Sequence, residues 1–553
     1  MCGIWAIFGS DENVSKQCSA CLTIAHRGPD SFRIENVNHF PNCCFGFHRL
    51  AIVDDIYGMQ PMRLNCLPHL WLCYNGEIYN YKLLAKEFGF KYETECDGES
   101  ILQLYNYGGI EFAAKHLDGV FAFIVLDTAA KKVFVGRDTL GVRPAFKVLT
   151  SEGFLAVSSE AKGLTDLVYS GNGTTAIDPV LPGFYEEYDL QQTGKVKLNQ
   201  VVRFHDVGLK PKYQTLITID DEKDVHGNIR KLLKAAVKKR MMGHRRIGCM
   251  LSGGLDSSLI AALVVECAKE LELSYPIQTF SVGMADSPDV IAAEKVAKHL
   301  GSEHHVIEFT PEEGVAAIDE LIYYLESYDI TTIRASLGMY LISKYIQEKS
   351  DSVVIFSGEG ADELAQGYIY FHKAPDAEAA DAESLRLMKD LYMYDVLRAD
   401  RCTAAHGLEL RVPFLDHQFG HYFLSLPSEM RQPVDGIEKH ILRTAFSGTG
   451  LIPDDILWRP KEAFSDGVSS QKKSWFLILQ ENADKQIPDG ELEDSPSLYK
   501  HNPPRTKEAF LYRKIFEKRF KGQSKWIPYY WMPKWIEATD PSQRTLQIYK
   551  SSD

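Results

Sequence analysis

Apolar residues follow different patterns in the two halves of the chain. In the first half, β-branched and aromatic side chains form short, dense runs. Two of these runs, Gly119–Asp127 and Lys132–Arg137, are separated by a short turn and predict a β-hairpin. Residues 145–148 and 154–158 predict further strands. The polar stretch 205–223 contains a proline and has no clear period, so it predicts a linker.

Beyond the linker, short apolar runs alternate with patterns of helical period. The predicted strands are residues 247–251, 277–282, 304–309 and 352–356, and the predicted helices are residues 258–270, 290–300 and 312–324. Such alternation predicts a parallel sheet with helices on both faces, which binds ligands at the carboxyl ends of its strands. After residue 380 the chain is mostly helical in pattern, and the acidic, alanine-rich residues 376–383 predict an exposed excursion.

The length of 553 residues exceeds one typical domain, so the sequence predicts two domains of the α/β and α+β classes. The predicted segments are a first domain at residues 2–205, a linker at 206–225, a second domain at 226–540 and a C-terminal tail at 541–553.

The composition and charge of the chain argue against nucleic acids and membranes as binding partners. A hydrophobic fraction of 45% and a charged fraction of 25% are ordinary for a globular protein, and a net charge of -14 argues against a nucleic-acid ligand. No apolar run is long enough to cross a bilayer, and residues 1–9 lack the basic start of a secretory signal. We therefore expect a cytosolic protein with mostly reduced cysteines that acts on small molecules, away from membranes. The sequence does not fix the oligomeric state and leaves a homodimer open.

Cys2 directly follows the initiator methionine and is small enough for that methionine to be removed. A cysteine that begins the processed chain carries a nucleophilic thiol and a free α-amine on one residue. Because an α-amine has a pKa of about 7.7–8.0, it can exchange protons near neutral pH. Cys2 therefore contains both halves of a nucleophile–base pair. If no other motif accompanied it, the simpler interpretation would be a buried cysteine without a catalytic role.

Further segments supply what thiol attack on an amide requires. Asn75 and Gly76 lie in a turn where a side-chain N–H and a backbone N–H can point at one oxyanion. Arg49 can bind a carboxylate with two hydrogen bonds, and Asp97 can hold an ammonium group. A carboxylate contact and an ammonium contact on either side of an amide describe glutamine.

Four segments, MCGI at 1–4, HRGPD at 26–30, YNGEIYN at 74–80 and GRD at 136–138, resemble the glutaminase domain of class II amidotransferases. That family belongs to the N-terminal nucleophile hydrolases. The resemblance implies an α-β-β-α sandwich in which Cys2 forms a glutamyl thioester and ammonia is released, with Asn75 and Gly76 as the oxyanion hole. The implied glutamine-binding residues are Arg49, Leu50, Ala51, Ile52, Val53, Asn75, Gly76, Glu77 and Asp97.

A second constellation, LSGGLDSS at 251–258, follows a predicted strand and opens a predicted helix. Its backbone N–H groups and hydroxyls therefore face a helix N-terminus, which attracts anions, whereas no Walker A sequence occurs in the chain. SGEGADE at 357–363 follows a later strand, and Asp256 and Asp362 can together ligate Mg²⁺ on phosphates. The alternatives are a plain glycine-serine turn for the first loop and a helix-capping role for Asp362.

The first of these loops resembles the pyrophosphate loop of ATP pyrophosphatases. With YDITTIRAS at 328–336 and WRPKEAFSDG at 458–467, nearly the whole chain resembles the glutamine-dependent asparagine synthetases, which implies a doubly wound parallel-sheet domain with a helical C-terminal part. The implied reaction converts ATP, aspartate, glutamine and water to AMP, pyrophosphate, asparagine and glutamate through a β-aspartyl-AMP intermediate.

The resemblance also assigns residues to the synthetase reaction. Glu359 would serve formation of the adenylate, Lys461 would stabilise charge on the phosphorus, and Mg²⁺ would bind Asp256 and Asp362. The implied ATP contacts are Leu251, Ser252, Gly253, Gly254, Asp256, Ser257, Val282, Arg334, Ser357 and Gly358. Without the resemblance, Lys461 and Arg334 would be interpreted as surface or ion-pair residues.

Two other functions share some of these features. A class II amidotransferase that aminates a sugar phosphate would have the first domain but would not need the loop at 252–258. A non-catalytic storage protein would not need Cys2, Asn75, Asp256 and Glu359, all of which are intact.

Overall fold

The computed structural model describes residues 1–10, 12–40, 42–54, 56–168, 175–213, 216–461, 467–470, 473–538 and 540–542. These residues form two compact units. The first unit contains Met1–Leu216, Met242–Arg245 and Ala404–Leu408, and the second contains Ile217–Met241, Arg246–Thr403 and the described residues from Glu409 onward. The main change between them, at residues 216–217, falls inside the stretch predicted as a linker.

The first unit is built on two six-stranded antiparallel sheets. One has the strand order β10-β8-β9-β1-β3-β2 and the other β12-β11-β7-β6-β5-β4. The strands are β1 Gly3–Phe8, β2 Ser31–Asn36, β3 Cys43–Arg49, β4 Met62–Leu64, β5 Leu67–Ile78, β6 Gly119–Asp127, β7 Lys132–Arg137, β8 Phe146–Leu149, β9 Leu155–Ser158, β10 Asp178–Pro179, β11 Phe184–Leu190 and β12 Val196–Arg203.

Helices cover the outer faces of these two sheets. Lys162–Val168 packs on β8 and β9 and against Val14–Leu22, whereas Glu99–His116 packs on β5 and against Tyr81–Phe88. A short 3₁₀ helix, Ala25–Arg27, lies near β1 and β3. The layers are therefore helix, sheet, sheet and helix, as the family resemblance implies.

Both faces of strand β5 are buried, each in a different apolar cluster. Trp71 and Cys73 join the apolar cluster between the two sheets, which also contains Ile4 and Phe45 of the other sheet. Leu70, Leu72 and Tyr74, on the opposite face, join the cluster under the helices. Because successive side chains of a strand point to opposite faces, a strand buried on both faces is apolar at nearly every position.

The second unit is built on a five-stranded parallel sheet with the order β15-β14-β13-β16-β17. Its strands are β13 Arg246–Met250, β14 Gln278–Gly283, β15 Glu303–Glu308, β16 Ser352–Phe356 and β17 Glu409–Arg411. Strand order reverses at β13: β14 and β15 follow on one side of it, and β16 and β17 lie on the other. Such a switch point leaves a crevice at the carboxyl ends of the strands.

Helices make up most of the remaining second unit. They are Val225–Lys239, Leu255–Glu270, Pro288–Leu300, Pro311–Ala316, Ile318–Leu325, Ile330–Lys349, Ala361–Leu364, Ala377–Asp390, Asp395–Ala404, His417–Ser425, Ser428–Arg431, His440–Phe446, Asp454–Leu457, Trp475–Gln486, Asp489–Glu493, Ser495–Leu498 and Lys507–Arg519, with 3₁₀ turns at Ile369–Lys373, Leu391–Met393, Pro413–Leu415 and Ser524–Trp526. Among the described helices, none is long and apolar enough to span a membrane.

Two local predictions are wrong. The single helix predicted at residues 312–324 is two helices, Pro311–Ala316 and Ile318–Leu325. Residues 376–383 are exposed only at Asp376, Glu378 and Ala382, and they are the start of a regular helix: Asp376 caps Ala377–Asp390 by accepting the Ala379 N–H at 2.7 Å. Glu383 is fully buried in that helix and accepts hydrogen bonds from Tyr370 and Arg386, so its charge does not keep it at the surface.

Candidate active sites

Cys2 lies immediately before β1, at the end of the strand that pairs with β3. Its half-buried Sγ lies against the backbone of Leu50: the Leu50 N–H is 3.4 Å from Sγ, and the Leu50 carbonyl oxygen is 3.5 Å from it. Met1, which precedes Cys2 in the structure, is buried. The Leu50 backbone thus contacts the sulfur through both its N–H and its carbonyl oxygen, which fixes the position of the nucleophilic atom.

A buried ionic cluster holds the backbone of Cys2. Arg27 donates from Nε to the Cys2 carbonyl at 3.1 Å and from Nη1 to Glu160 at 2.6 Å. Glu160 also accepts from Lys162 and lies 3.0 Å from Nε2 of His26. Arg27 and Glu160 have no exposed surface, so their hydrogen bonds are not weakened by solvent. Burial lowers the pKa of His26 although Glu160 opposes it, so His26 is neutral at pH 7.

Asn75 and Gly76 lie side by side in β5, opposite Ala122 and Phe121. Asn75 has no exposed surface, and within the described residues neither its Nδ2 nor its Oδ1 has a hydrogen-bond partner. A buried amide without a partner costs roughly 1–3 kcal/mol, which a bound oxygen atom would recover. Gly76 has a φ of +149°, and a Cβ there would lie 2.0 Å from the Val120 carbonyl oxygen, so a larger residue would distort this position.

Two charged side chains expected to bind glutamine have fixed orientations. Arg49 is buried at the end of β3 and donates to the Asp54 carbonyl. Asp97, also buried, accepts from the Tyr74 hydroxyl at 2.8 Å and from the Ile78 N–H at 2.6 Å. Burial, with the Asp97 charge as a smaller cause, raises the pKa of Tyr74, so its hydroxyl stays protonated as a donor.

The other residues implied to bind glutamine flank these two. Leu50, Ile52 and Glu77 are buried, whereas Ala51 and Val53 are partly exposed. The Ala51 N–H donates to Asp30 at 2.8 Å, which ties the segment after β3 to the HRGPD segment.

A cavity opens at the carboxyl ends of β13, β14 and β16 in the second unit. Eight of the ten implied ATP contacts line it: Leu251, Ser252, Gly254, Asp256, Ser257, Val282, Ser357 and Gly358. The loops that follow β13 and β16 meet at Gly358, where a Cβ would lie 2.9 Å from the Ser257 nitrogen and 3.0 Å from the Asp256 Cβ. Glycine at this position is what lets the two loops touch.

The first of these loops is shaped by its serines. The Ser252 N–H donates to Ser257 Oγ at 3.1 Å, and the two hydroxyls are 2.9 Å apart. Leu255–Glu270 begins inside the loop, and its N-cap residue, Gly254, has no side chain that could cap the first turn. The free N–H groups of that turn and the helix dipole therefore face the cavity and attract an anion such as a phosphate.

Asp256 and Asp362, one from each loop, are brought together around a lysine. Lys439 Nζ lies 2.5 Å from a carboxylate oxygen of each aspartate, and Lys461 Nζ lies 2.7 Å from Asp362. Burial favours the neutral form of Asp362, but the two ammonium groups outweigh it and hold its pKa well below the usual value. Asp362 is therefore ionised at neutral pH.

These two carboxylates fit Mg²⁺. Asp256 Oδ1 is buried and has no hydrogen-bond partner within the described residues. Mg²⁺ prefers hard oxygen ligands and is often bound by one or two carboxylates together with substrate phosphates. The donor set and its place beside the phosphate-attracting loop match that pattern.

The cavity lining includes a second group of charges, centred on Arg398. Arg398 donates from Nη2 to Glu359 at 2.7 Å and from Nε to Asp395 at 2.9 Å. Its buried Nη1 has no hydrogen-bond partner within the described residues. Tyr368 donates its hydroxyl to Glu363 at 2.6 Å. The arginine thus keeps one donor available to a ligand.

Two carboxyl groups here have raised pKa values. Burial raises the pKa of Glu359, although the Arg398 guanidinium acts in the opposite direction. Burial and the nearby Asp395 charge raise the pKa of Glu363 well above its usual value. Because Asp395 and Glu363 share this small volume, protonating one of them relieves their repulsion.

Two of the implied ATP contacts do not join the cavity lining. Arg334 is buried and pairs with Glu508 at 2.6 Å and with Asp540 at 2.8 Å, as the ion-pair interpretation expects, and its contact with ATP stays a prediction. Gly253 lies in the loop, but its φ of +73° turns it toward Pro288–Leu300, where a Cβ would lie 2.4 Å from the Ala293 nitrogen. Of the segment 458–467, residues 462–466 lie outside the described residues, whereas Lys461 lines the cavity.

Sequence reasoning missed several residues of both sites. In the second unit these are Lys439, Arg398, Asp395 and Tyr368, and in the first unit Arg27 and Glu160 were not assigned a role. Only Arg27 lay in a segment that had been singled out, HRGPD. The others lie outside the motifs. Lys439, Arg398 and Glu160 each have at least one partner far along the chain, namely Asp256, Glu359 and Arg27, so no local pattern marks them as part of a site.

Comparisons with known proteins cover the whole chain. The glutamine amidotransferase domain family matches residues 1–197, and the asparagine synthase family matches residues 228–385 and 374–540. An asparagine synthetase [glutamine-hydrolyzing] of Gallus gallus is 62% identical over 558 residues, and the proteins of that name from Homo sapiens and Mus musculus are each 59% identical. Each alignment covers 100% of this chain and 100% of the relative.

The cluster around Glu160 gives a test of the first site. Replacing Glu160 with glutamine keeps the shape but leaves Arg27 and Lys162 without this carboxylate. We expect the free energy of unfolding of the first unit to fall by about 3–5 kcal/mol, as when a buried ion pair loses one partner. Thermal denaturation measures this loss, and glutaminase turnover should fall with it because the Cys2 carbonyl is no longer held. Glu152→Gln, at an exposed turn, is the matched control and should leave both unchanged. Wild-type stability of Glu160→Gln would contradict the role given to the cluster.

Proposed function

The chain belongs to the glutamine-hydrolysing asparagine synthetases, and from this membership we propose that it makes asparagine from aspartate, with glutamine as nitrogen donor and ATP as activator. The synthetase reaction is supported by one observation in the second unit. Two loops that follow neighbouring parallel strands meet there, and they bring Asp256 and Asp362 together beside a helix N-terminus that attracts phosphate. The observation that carries the glutaminase half is the buried, unpartnered amide of Asn75 in the unit that holds Cys2.

In the first half-reaction, removal of Met1 leaves Cys2 with both a thiol and a free α-amine. Arg49 binds the α-carboxylate of glutamine and Asp97 binds its ammonium, which presents the side-chain amide to Cys2 Sγ. Asn75 and Gly76 donate hydrogen bonds to the oxyanion that forms on attack. The α-amine of Cys2 transfers the thiol proton to the leaving ammonia, and water then hydrolyses the thioester.

In the second half-reaction, the β- and γ-phosphates of ATP lie on the loop at 252–257. Magnesium, when bound by Asp256 and Asp362, would neutralise phosphate charge and favour pyrophosphate as the leaving group. The side-chain carboxylate of aspartate attacks the α-phosphorus, and Lys461 stabilises the charge that develops there. Burial and Asp362 act oppositely on Lys461: burial favours its neutral form, but the carboxylate outweighs burial and raises its pKa, so the ammonium is present at pH 7.

Recognition of aspartate is assigned to the Arg398 group. Arg398 Nη1 is the buried donor without a protein partner and is suited to a carboxylate of the amino acid. Glu359 and Asp395 fix the guanidinium plane through its other nitrogens, at 2.7 and 2.9 Å. Glu359 therefore serves adenylate formation by holding the acceptor in line with the α-phosphorus.

We also propose a cellular compartment, a set of ligands and an assembly for the protein. All eleven cysteines lie in the described residues and are free thiols, which supports a reducing compartment such as the cytosol. The proposed partners are the small molecules glutamine, aspartate and ATP, with Mg²⁺ as the metal, and a homodimer as the assembly.

The proposed reaction predicts a specific pattern of products. With aspartate, ATP and glutamine, the protein should form asparagine, glutamate, AMP and pyrophosphate in equal amounts, as read by chromatography. Cys2→Ala should abolish glutamine-dependent synthesis, because no thioester forms, and should retain synthesis from ammonium. Cys66→Ala, which removes an exposed thiol, is the control and should behave as wild type. ADP as the nucleotide product, or loss of both activities in a folded Cys2→Ala, would refute the scheme.

The role of Arg398 predicts a selective effect on aspartate. Arg398→Lys keeps a positive charge but cannot replace the fork of three nitrogens, so we expect the KM for aspartate to rise about 10–100-fold through loss of a buried charged hydrogen bond. Steady-state kinetics should show a much smaller change in the KM for ATP and none in glutaminase turnover. Arg505→Lys, at an exposed position, is the matched control. An unchanged KM for aspartate in Arg398→Lys would remove Arg398 from the acceptor site.

A further inference from the structure

Lys439 is an unusual lysine because its side chain is only 1% exposed. It adopts a left-handed backbone conformation, with a φ of +56°, directly before the helix His440–Phe446. The hairpin-like turn before it is closed by hydrogen bonds between the backbones of Val434 and Ile437. A lysine is seldom buried unless its ammonium is paired with acceptors. The contacts of Lys439 therefore explain how its charge is stabilised inside the protein.

Those contacts are the two carboxylates on which a metal site depends. Lys439 Nζ lies 2.5 Å from Oδ2 of Asp256 and 2.5 Å from Oδ1 of Asp362. Gly367 makes room for this approach, because a Cβ there would lie 2.0 Å from Lys439 Cε and 2.1 Å from Asp362 Oδ1. The lysine therefore joins the loop after β13 to the loop after β16 through the same pair of side chains proposed to ligate Mg²⁺.

We propose that Lys439 is an internal cation that competes with a divalent metal for Asp256 and Asp362, so that metal binds tightly only together with nucleotide. The inference rests on the proposed Mg²⁺–ATP site. Two positive charges cannot share these carboxylates at close range without strong repulsion, which is weakly screened in a buried site. When ATP binds, its phosphates accept hydrogen bonds from the Lys439 ammonium that the metal displaces. The repulsion that weakens metal binding without nucleotide is thereby relieved.

Lys461 cannot take this role. Among the described residues its ion pair is with Asp362, at 2.7 Å, and its side chain is 19% exposed, so it can move toward solvent when a metal enters. Lys439 is enclosed and contacts both carboxylates, so its charge stays within the site. Lys439 therefore holds the two loops together and competes with the metal, whereas Lys461 acts on the reacting phosphorus.

The test measures metal binding to the full-length protein without nucleotide, with Mn²⁺ as the probe and electron paramagnetic resonance as the readout. Lys439→Met removes the competing charge, and we expect the Kd for Mn²⁺ to fall about tenfold, a modest share of the repulsion expected between a monovalent and a divalent charge. Lys439→Arg keeps a positive charge and should leave the Kd close to that of wild type. Lys461→Met should produce a smaller gain than Lys439→Met. An unchanged or weaker affinity in Lys439→Met would overturn the proposal.

A second measurement needs no variant and so does not depend on how Lys439→Met folds. Hydrogen exchange of the wild-type protein should quicken in residues 434–443 when Mn²⁺ is added alone, because Lys439 loses its two anchors. Adding ATP with the metal should restore protection there. Unchanged exchange with Mn²⁺ at saturation would overturn the proposal. Neither measurement depends on turnover, so a protein that failed to make asparagine could still pass or fail this test.

Discussion

Balance of charge in a buried cavity is the constraint on which the second unit depends. Acidic groups collect at the carboxyl ends of β13 and β16: Asp256, Glu359, Asp362 and Glu363, with Asp395 beside them. Removed from water, so many carboxylates would be unstable without compensation. Lys439, Lys461 and Arg398 supply that compensation, and each contacts its carboxylates directly. The sheet, the glycines that let the loops meet and the left-handed turn at Lys439 all serve to bring these charges within contact distance.

The first unit also buries polar groups at its candidate site, but with fewer charges. Its two sheets bury both faces of β5, and this fixes Asn75 at a depth where its amide has no hydrogen-bond partner among the described residues. Arg27 and Glu160 form a buried ion pair that holds the Cys2 carbonyl. In both units, then, polar groups are placed in a dry setting before the substrate arrives, which is the arrangement that favours a developing charge.

The sequence predicted elements best where local pattern and burial agree. The hairpin of β6 and β7 and the strand Ser352–Phe356 have the predicted bounds because their apolar runs end at turn residues. The burial of Glu383 was not predicted, because acidic side chains suggest exposure. Its partner Arg386 is the i+3 neighbour on the same helix, but Tyr370 is brought to it by the fold. For the sites, the glycine-rich loops could be predicted from their composition. Lys439 and Arg398 could not be predicted, because the fold alone brings Asp256 and Asp362 to Lys439 and Glu359 to Arg398. The ion pairs of Arg334 with Glu508 and Asp540 are likewise long-range contacts that no local pattern marks.

The central claim is that the paired loops hold ATP so that the acceptor's carboxylate attacks the α-phosphorus. Aspartate labelled with ¹⁸O in its side-chain carboxylate tests this claim directly. Mass spectrometry of the products should find one ¹⁸O atom in AMP for each asparagine formed, and none in pyrophosphate. Label in inorganic phosphate with ADP as the nucleotide, or AMP without label, would contradict the account.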